Sequence, residues 1–165
     1  MEAWQDHVVG AASLAAQLSS RRETLAVAES CTGGWVSLGL SLVPGVSGVF
    51  RGGVVAYAAD MKIRQLGVDA SLLSRHGVVS VAVAMAMASG VCLRCGSDWG
   101  LATTGYAGPG SGDEHFGVGW VCFAVYGRRE QRAWARRFEG DRIQVMAGAA
   151  MEAWRGLREV LEKST

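Results

Sequence analysis

The chain has 165 residues, half of them hydrophobic, and a net charge of +1 at neutral pH. That length suits one domain able to bury a core without staples, and the near-neutral balance makes no electrostatic case for nucleic acid as a partner. No apolar run reaches the roughly 20 residues of a membrane span, and the opening "MEAWQDHVVGAA" lacks the basic flank of a secretion signal. A soluble, cytoplasmic protein with no membrane partner is expected, in which Cys31, Cys92, Cys95 and Cys122 remain thiols.

In chain order, Trp4, Val8, Ala11, Leu14, Ala15 and Leu18 share one stripe, which predicts an amphipathic helix over residues 3–18. "TLAVA" reads as a short buried strand. "GWVSLGLSLVPG" has helical spacing and is stopped by Pro44 and Gly45. "FRGGVVAYAA" is rich in β formers up to Tyr57, and a short helical segment follows around Lys62 and Leu66. "DASLLSRHG" and "SVAVAMAMASGVCLRCG" predict two more helices with Asp69 and Ser80 as N-caps. "WGLATTG" is a strand that runs into the loop "YAGPGSGDEHFG". "VGWVCFAVY" and "QRAWARRFE" flank the charged turn "GRRE" as a hairpin, and Asp141 caps a closing helix. Five strands interleaved with helices predict a single domain over residues 1–165, a three-layer α/β/α arrangement on a mixed, mostly parallel five-stranded sheet. The loops "ESCTGG" and "TTGYAGPG" both leave strands at their carboxyl ends, where ligands collect in such sheets.

Cys92 and Cys95 form a C-x-x-C, but His7, His76 and His115 offer no second pair at ligand spacing. The two cysteines therefore read as small core residues near a helix end, and no metal or cofactor is expected.

"AESCTGG", residues 28–34, admits three readings. Ser30 or Thr32 caps the following helix, with Gly33 and Gly34 allowing the turn. Alternatively the turn offers free amides and a helix dipole to a phosphate. Or Ser30 is a nucleophile with backbone amides set to steady an oxyanion. A serine nucleophile needs a base, and the histidines are poorly placed for that role. Lys62 is the only lysine before Lys163 in a chain that otherwise uses arginine. Unlike arginine, a lysine partly buried between Met61 and Ile63 can lose its proton and act as a base. The plain alternative is a solvated helix-surface lysine. Cys31 is a rival nucleophile, since thiolates form readily at helix N-termini.

The series "AESCTGGWVS", "PGVSGVFRGGVVAYAADMKIRQLGV", "RHGVVS", "TTGYAGP" and "FEGDR" resembles the C-terminal domain family of CinA, the competence/damage-inducible proteins. The resemblance spans nearly the whole chain, with a TG-x-AGP motif among its marks. It implies a stand-alone, metal-independent amidohydrolase that turns nicotinamide mononucleotide and water into nicotinic acid mononucleotide and ammonia in pyridine nucleotide salvage. The family's serine nucleophile falls on Ser30, its lysine base on Lys62, its assisting tyrosine on Tyr57, its threonine on Thr104 and the arginine of its "GDR" motif on Arg142. Substrate contacts are expected at Glu29, Cys31, Thr32, Gly33, Gly34, Gly105, Gly108 and Arg142. The phenol of Tyr57 is expected to relay protons or orient the lysine. The oxyanion donors are either the amides of residues 31–34 or Thr104 with Gly105. A homo-oligomer, at least a dimer, is also implied.

The chain departs from the family pattern in a short 110–118 loop, with His115 and Phe116 where lysine and proline are usual. A second departure is Met146 in place of a common arginine. The rival function is a non-catalytic nucleotide-binding or interaction module tied to competence or DNA damage.

Overall fold

A computed structural model describes the backbone of residues 2–164 and the side chains of residues 8–164. Trp4 and the ring of His7 lie outside the described side chains. The elements run α1 (Glu2–Arg21), β1 (Leu25–Glu29), α2 (Trp35–Ser41), a 3₁₀ turn (Val46–Gly48), β2 (Phe50–Val55), α3 (Ala59–Leu66), α4 (Ala70–His76), α5 (Val81–Cys95), β3 (Trp99–Gly105), β4 (Trp120–Gly127), β5 (Gln131–Arg137) and α6 (Arg142–Lys163). All five expected strands are present. Asp69, Ser80 and Asp141 cap α4, α5 and α6 by accepting from the amides of Ser71, Val83 and Gln144.

The strands are ordered β2-β1-β3-β4-β5. β1 pairs in parallel with β2 and β3, whereas β3–β4 and β4–β5 are antiparallel. The sheet is mixed, as expected, but parallel pairing does not dominate: the antiparallel ladders are the longer ones. The physical reason is the 106–119 connector, which carries no helix and so cannot make the crossover that a parallel β3–β4 pair requires.

Alternation along the strands builds two cores. Leu25, Val27, Trp99, Leu101, Val121, Phe123 and Val125 pack with α1, α2 and α6. Ala26, Ala28, Ala102, Cys122 and Ala124 face α5 with its valines, alanines and Met87. The second face is built from small residues, so α5 lies close to the sheet: a Cβ on Gly100 would stand 2.0 Å from the Ala88 carbonyl oxygen. On the first face Trp154 of α6 is wedged against α2, and a Cβ on Gly39 would fall 2.3 Å from the indole ring. Cys92 is buried as expected, whereas Cys95, which ends α5 ahead of Gly96, is half-buried at the margin of the core.

Because β1, β2 and β3 run the same way, their carboxyl ends meet at one edge of the sheet. Ser30, Tyr57 and Gly105 leave from that edge. No described helix is long and apolar enough to cross a membrane.

Candidate active site

Glu29 ends β1 with its side chain fully buried. One carboxylate oxygen accepts from the Thr32 hydroxyl at 2.6 Å, the Gly34 amide at 3.0 Å and the Val36 amide at 3.1 Å. The other accepts from the Ser37 amide at 2.8 Å and the Ser37 hydroxyl at 2.6 Å. The N-terminus of α2 is thus satisfied by the chain's own carboxylate. This answers the capping question differently from the sequence reading: Glu29 does the capping, not Ser30 or Thr32. A phosphate would find these amides taken. Gly33 and Gly34 adopt positive φ, +60° and +105°, which permits the sharp turn from β1 into α2.

The turn leaves Ser30 facing Lys62, which α3 carries across the gap from β2. The Lys62 Nζ lies 2.9 Å from Ser30 Oγ, 2.8 Å from the Ala56 carbonyl oxygen and 3.2 Å from that of Tyr57. The lysine is only 1 % exposed. It is therefore not the solvated surface residue of the plain alternative. Burial lowers its pKa from 10.5 to about 8. A neutral amine has two N–H groups and one lone pair. With the two carbonyls accepting those N–H groups, the lone pair is left for the Ser30 hydroxyl proton.

Cys31, the rival nucleophile, is buried, and that burial pushes its thiol up to about 12, so it stays protonated at neutral pH. The amides of Cys31 and Thr32 donate to no other residue among the described residues.

A cavity of about 440 Å³ opens over this pair. Of the expected site residues, Ser30, Cys31, Tyr57, Lys62, Thr104, Gly105, Gly108 and Arg142 line it. Glu29, Thr32, Gly33 and Gly34 do not, because they build the turn behind it. Thr104 lines the cavity, but its hydroxyl donates to the Val78 carbonyl oxygen at 2.9 Å. That proton is committed, which removes the Thr104 hydroxyl from the expected oxyanion donors. The Tyr57 phenol does not reach the lysine. Its oxygen accepts from Arg142, and it is the Tyr57 backbone carbonyl that meets Lys62. Among the described residues, Arg142 makes no ion pair with its neighbours Glu139 and Asp141. It donates to Tyr57 and to the Gly108 carbonyl oxygen, tying α6 to both loops. A guanidinium has five donors, so several remain for an anion.

Sequence reasoning passed over other parts of the wall, among them Val78, Val79, Tyr106 and Val118. The signal for Tyr106 was present, since it occupies the variable position of TG-x-AGP. Met146 sits where a Cβ would project from Gly33, 3.6 Å from its methyl group, so it packs over the turn rather than leaving a gap. Neither His76 nor His115 lines the cavity. No cluster of three or more His, Cys, Asp or Glu side chains suited to a metal occurs among the described residues.

The sequence profile of the CinA C-terminal domain matches residues 9–161. A CinA-like protein of Synechococcus sp. (strain RCC307) is 49% identical over 143 residues, which is 79% of this chain and 34% of that protein. One from Anaeromyxobacter sp. (strain K) is 48% identical over 146 residues, 88% of this chain and 36% of that protein. The chain therefore spans about a third of the length of the curated relatives it matches. Among solved structures, a CinA superfamily protein of Klebsiella pneumoniae 700603 superposes with a TM-score of 0.92 at 32% identity, covering 95% of this chain and 98% of its own. The competence/damage inducible protein CihA of Agrobacterium tumefaciens gives 0.90 at 30% identity, covering 94% and 95%. On matches of this extent, the chain belongs to the CinA C-terminal domain family.

Proposed function

We propose that this chain is a metal-independent amidohydrolase that deamidates nicotinamide mononucleotide to nicotinic acid mononucleotide and ammonia, with Ser30 as nucleophile and Lys62 as base. The observation that carries the reading is the buried amine 2.9 Å from a serine hydroxyl, with no carboxylate hydrogen-bonded to it and two carbonyls accepting its protons. A binding module has no use for so costly a burial.

Neutral Lys62 takes the Ser30 proton as Oγ attacks the carboxamide carbon. The tetrahedral oxyanion is steadied by the amide of Cys31, which lines the cavity next to Ser30 on the turn that carries Oγ. The Lys62 ammonium then returns the proton to the departing nitrogen, which leaves as ammonia from a seryl ester. A water gives its proton to the lysine, attacks the ester and releases the carboxylate, and Ser30 regains its hydrogen. The substrate phosphate pairs with the spare donors of Arg142, since Glu29 already occupies the α2 terminus.

Ammonia release from purified protein given nicotinamide mononucleotide, nicotinamide riboside or free nicotinamide tests the reading. Turnover is expected with the mononucleotide, lost in Ser30→Ala and largely kept in Cys31→Ala. No ammonia from any of the three would refute it.

A further inference from the structure

Tyr106, which lines the cavity, and Asp113, which accepts from its hydroxyl, have no part in the chemistry above. Tyr106 follows Gly105 at the end of β3 and lines the same cavity as Ser30, Lys62 and Arg142. Its backbone is fixed on both sides: its amide donates to the Trp120 carbonyl oxygen at 3.0 Å, and its carbonyl accepts from the Gly119 amide at 2.7 Å. Its hydroxyl donates to Asp113 at 3.0 Å. The other oxygen of Asp113 accepts from the amides of His115 and Phe116 at 2.8 Å and 2.7 Å. Phe116 in turn packs against Trp120, with ring centroids 5.5 Å apart. Gly77 leaves room for this carboxylate, since a Cβ there would lie 3.1 Å from Asp113 Oδ2.

Val78, Val79, Ala107 and Val118 give the cavity an aliphatic stretch of wall. Tyr106 and Tyr57 are the aromatic rings on the cavity, and Tyr57 is drawn off to Arg142 at the rim. An N-glycosylated pyridine is flat and carries a positive ring charge. A substrate with its carboxamide at Ser30 and its phosphate at Arg142 would occupy a cavity whose wall includes Tyr106. A phenol that donates to a carboxylate has an electron-rich face suited to a cationic ring.

We infer that Tyr106, oriented by Asp113, is the specificity-determining wall of the cavity, selecting flat cationic heteroaromatic carboxamides over neutral or aliphatic ones. This rests on the amidohydrolase reading above. Asp113 is a positioning residue that fixes the ring and keeps the 108–116 loop folded against it.

The test is calorimetric binding to Ser30→Ala protein, comparing nicotinamide mononucleotide with its neutral 1,4-dihydro form, which has the same phosphate and nearly the same size. The parent should prefer the cationic form. Tyr106→Leu should weaken its binding about tenfold and erase the preference, leaving the dihydro form within about twofold of the parent. Tyr106→Phe, which keeps the ring and loses the tether, should fall between. In the active protein the same changes should raise KM with kcat nearly unchanged. Equal weakening of both ligands, an unchanged preference, or no preference in the parent would overturn the inference. Failure to release ammonia with binding preference intact would sink the amidohydrolase reading instead.

Discussion

The pH dependence of turnover follows from the Lys62 environment. Burial away from any carboxylate holds its pKa at about 8, and only the neutral amine can take the Ser30 proton. The neutral fraction is then about 1% at pH 6, about 9% at pH 7, about 50% at pH 8 and about 90% at pH 9. Thus kcat/KM should rise about tenfold between pH 7 and pH 9 with a single midpoint near 8. At pH 7 the substrate phosphate is already about 90% ionised, its second pKa being about 6, so a tenfold rise belongs to the enzyme. Chromatographic separation of substrate amide from product acid at six pH values measures it. Lys62→Arg is the matched control: a guanidinium keeps its proton throughout this range, so no ammonia should appear at any pH. A profile flat from pH 7 to 9, or one falling with pH, would refute the assignment of Lys62 as base.

The same lysine should cost stability. Unfolded, it holds its proton up to about 10.5, and folded only to about 8, so stability rises as pH climbs through that window and the full cost of about 3 kcal/mol is present below it. Lys62→Met strands two carbonyls at about 1 kcal/mol each, so urea unfolding at pH 7 should show a net gain of about 1 kcal/mol that vanishes near pH 9 and becomes a loss of about 1 kcal/mol by pH 10. Glu29→Gln has one acceptor oxygen where the carboxylate has two, and it leaves at least one buried amide unpaired. A loss of about 3 kcal/mol in the same assay is expected, and an unchanged midpoint would contradict the capping role. Arg142→Ala should raise KM for the mononucleotide at least tenfold and leave nicotinamide riboside unaffected, a difference steady-state kinetics would reveal.

Much of this fold was legible because its signals are local. Asp69, Ser80 and Asp141 announce helix starts by their own side chains, and Pro44 with Gly45 ends a helix by stereochemistry alone. The antiparallel turn of β4 was less visible, although the helix-free 106–119 stretch carried the clue. At the site, the pairing of Ser30 with Lys62 came from the family resemblance and from the scarcity of lysine. What stayed hidden were hydrogen-bond destinations. Glu29 turns inward to α2, Thr104 points to Val78, and the Tyr57 phenol goes to Arg142 while its carbonyl goes to the lysine. Each of these choices is made by backbone brought in from distant sequence, and residue type does not encode it.

The wedge of Trp154 on Gly39 has a bearing on how variants of this protein are interpreted. Position 39 touches no part of the cavity, yet even a methyl group there would lever α2 away from the indole and drag the nucleophile turn with it. In a mutational screen scored only by product formation, such a lesion would masquerade as damage to the chemistry, and a folding readout run in parallel is what would unmask it.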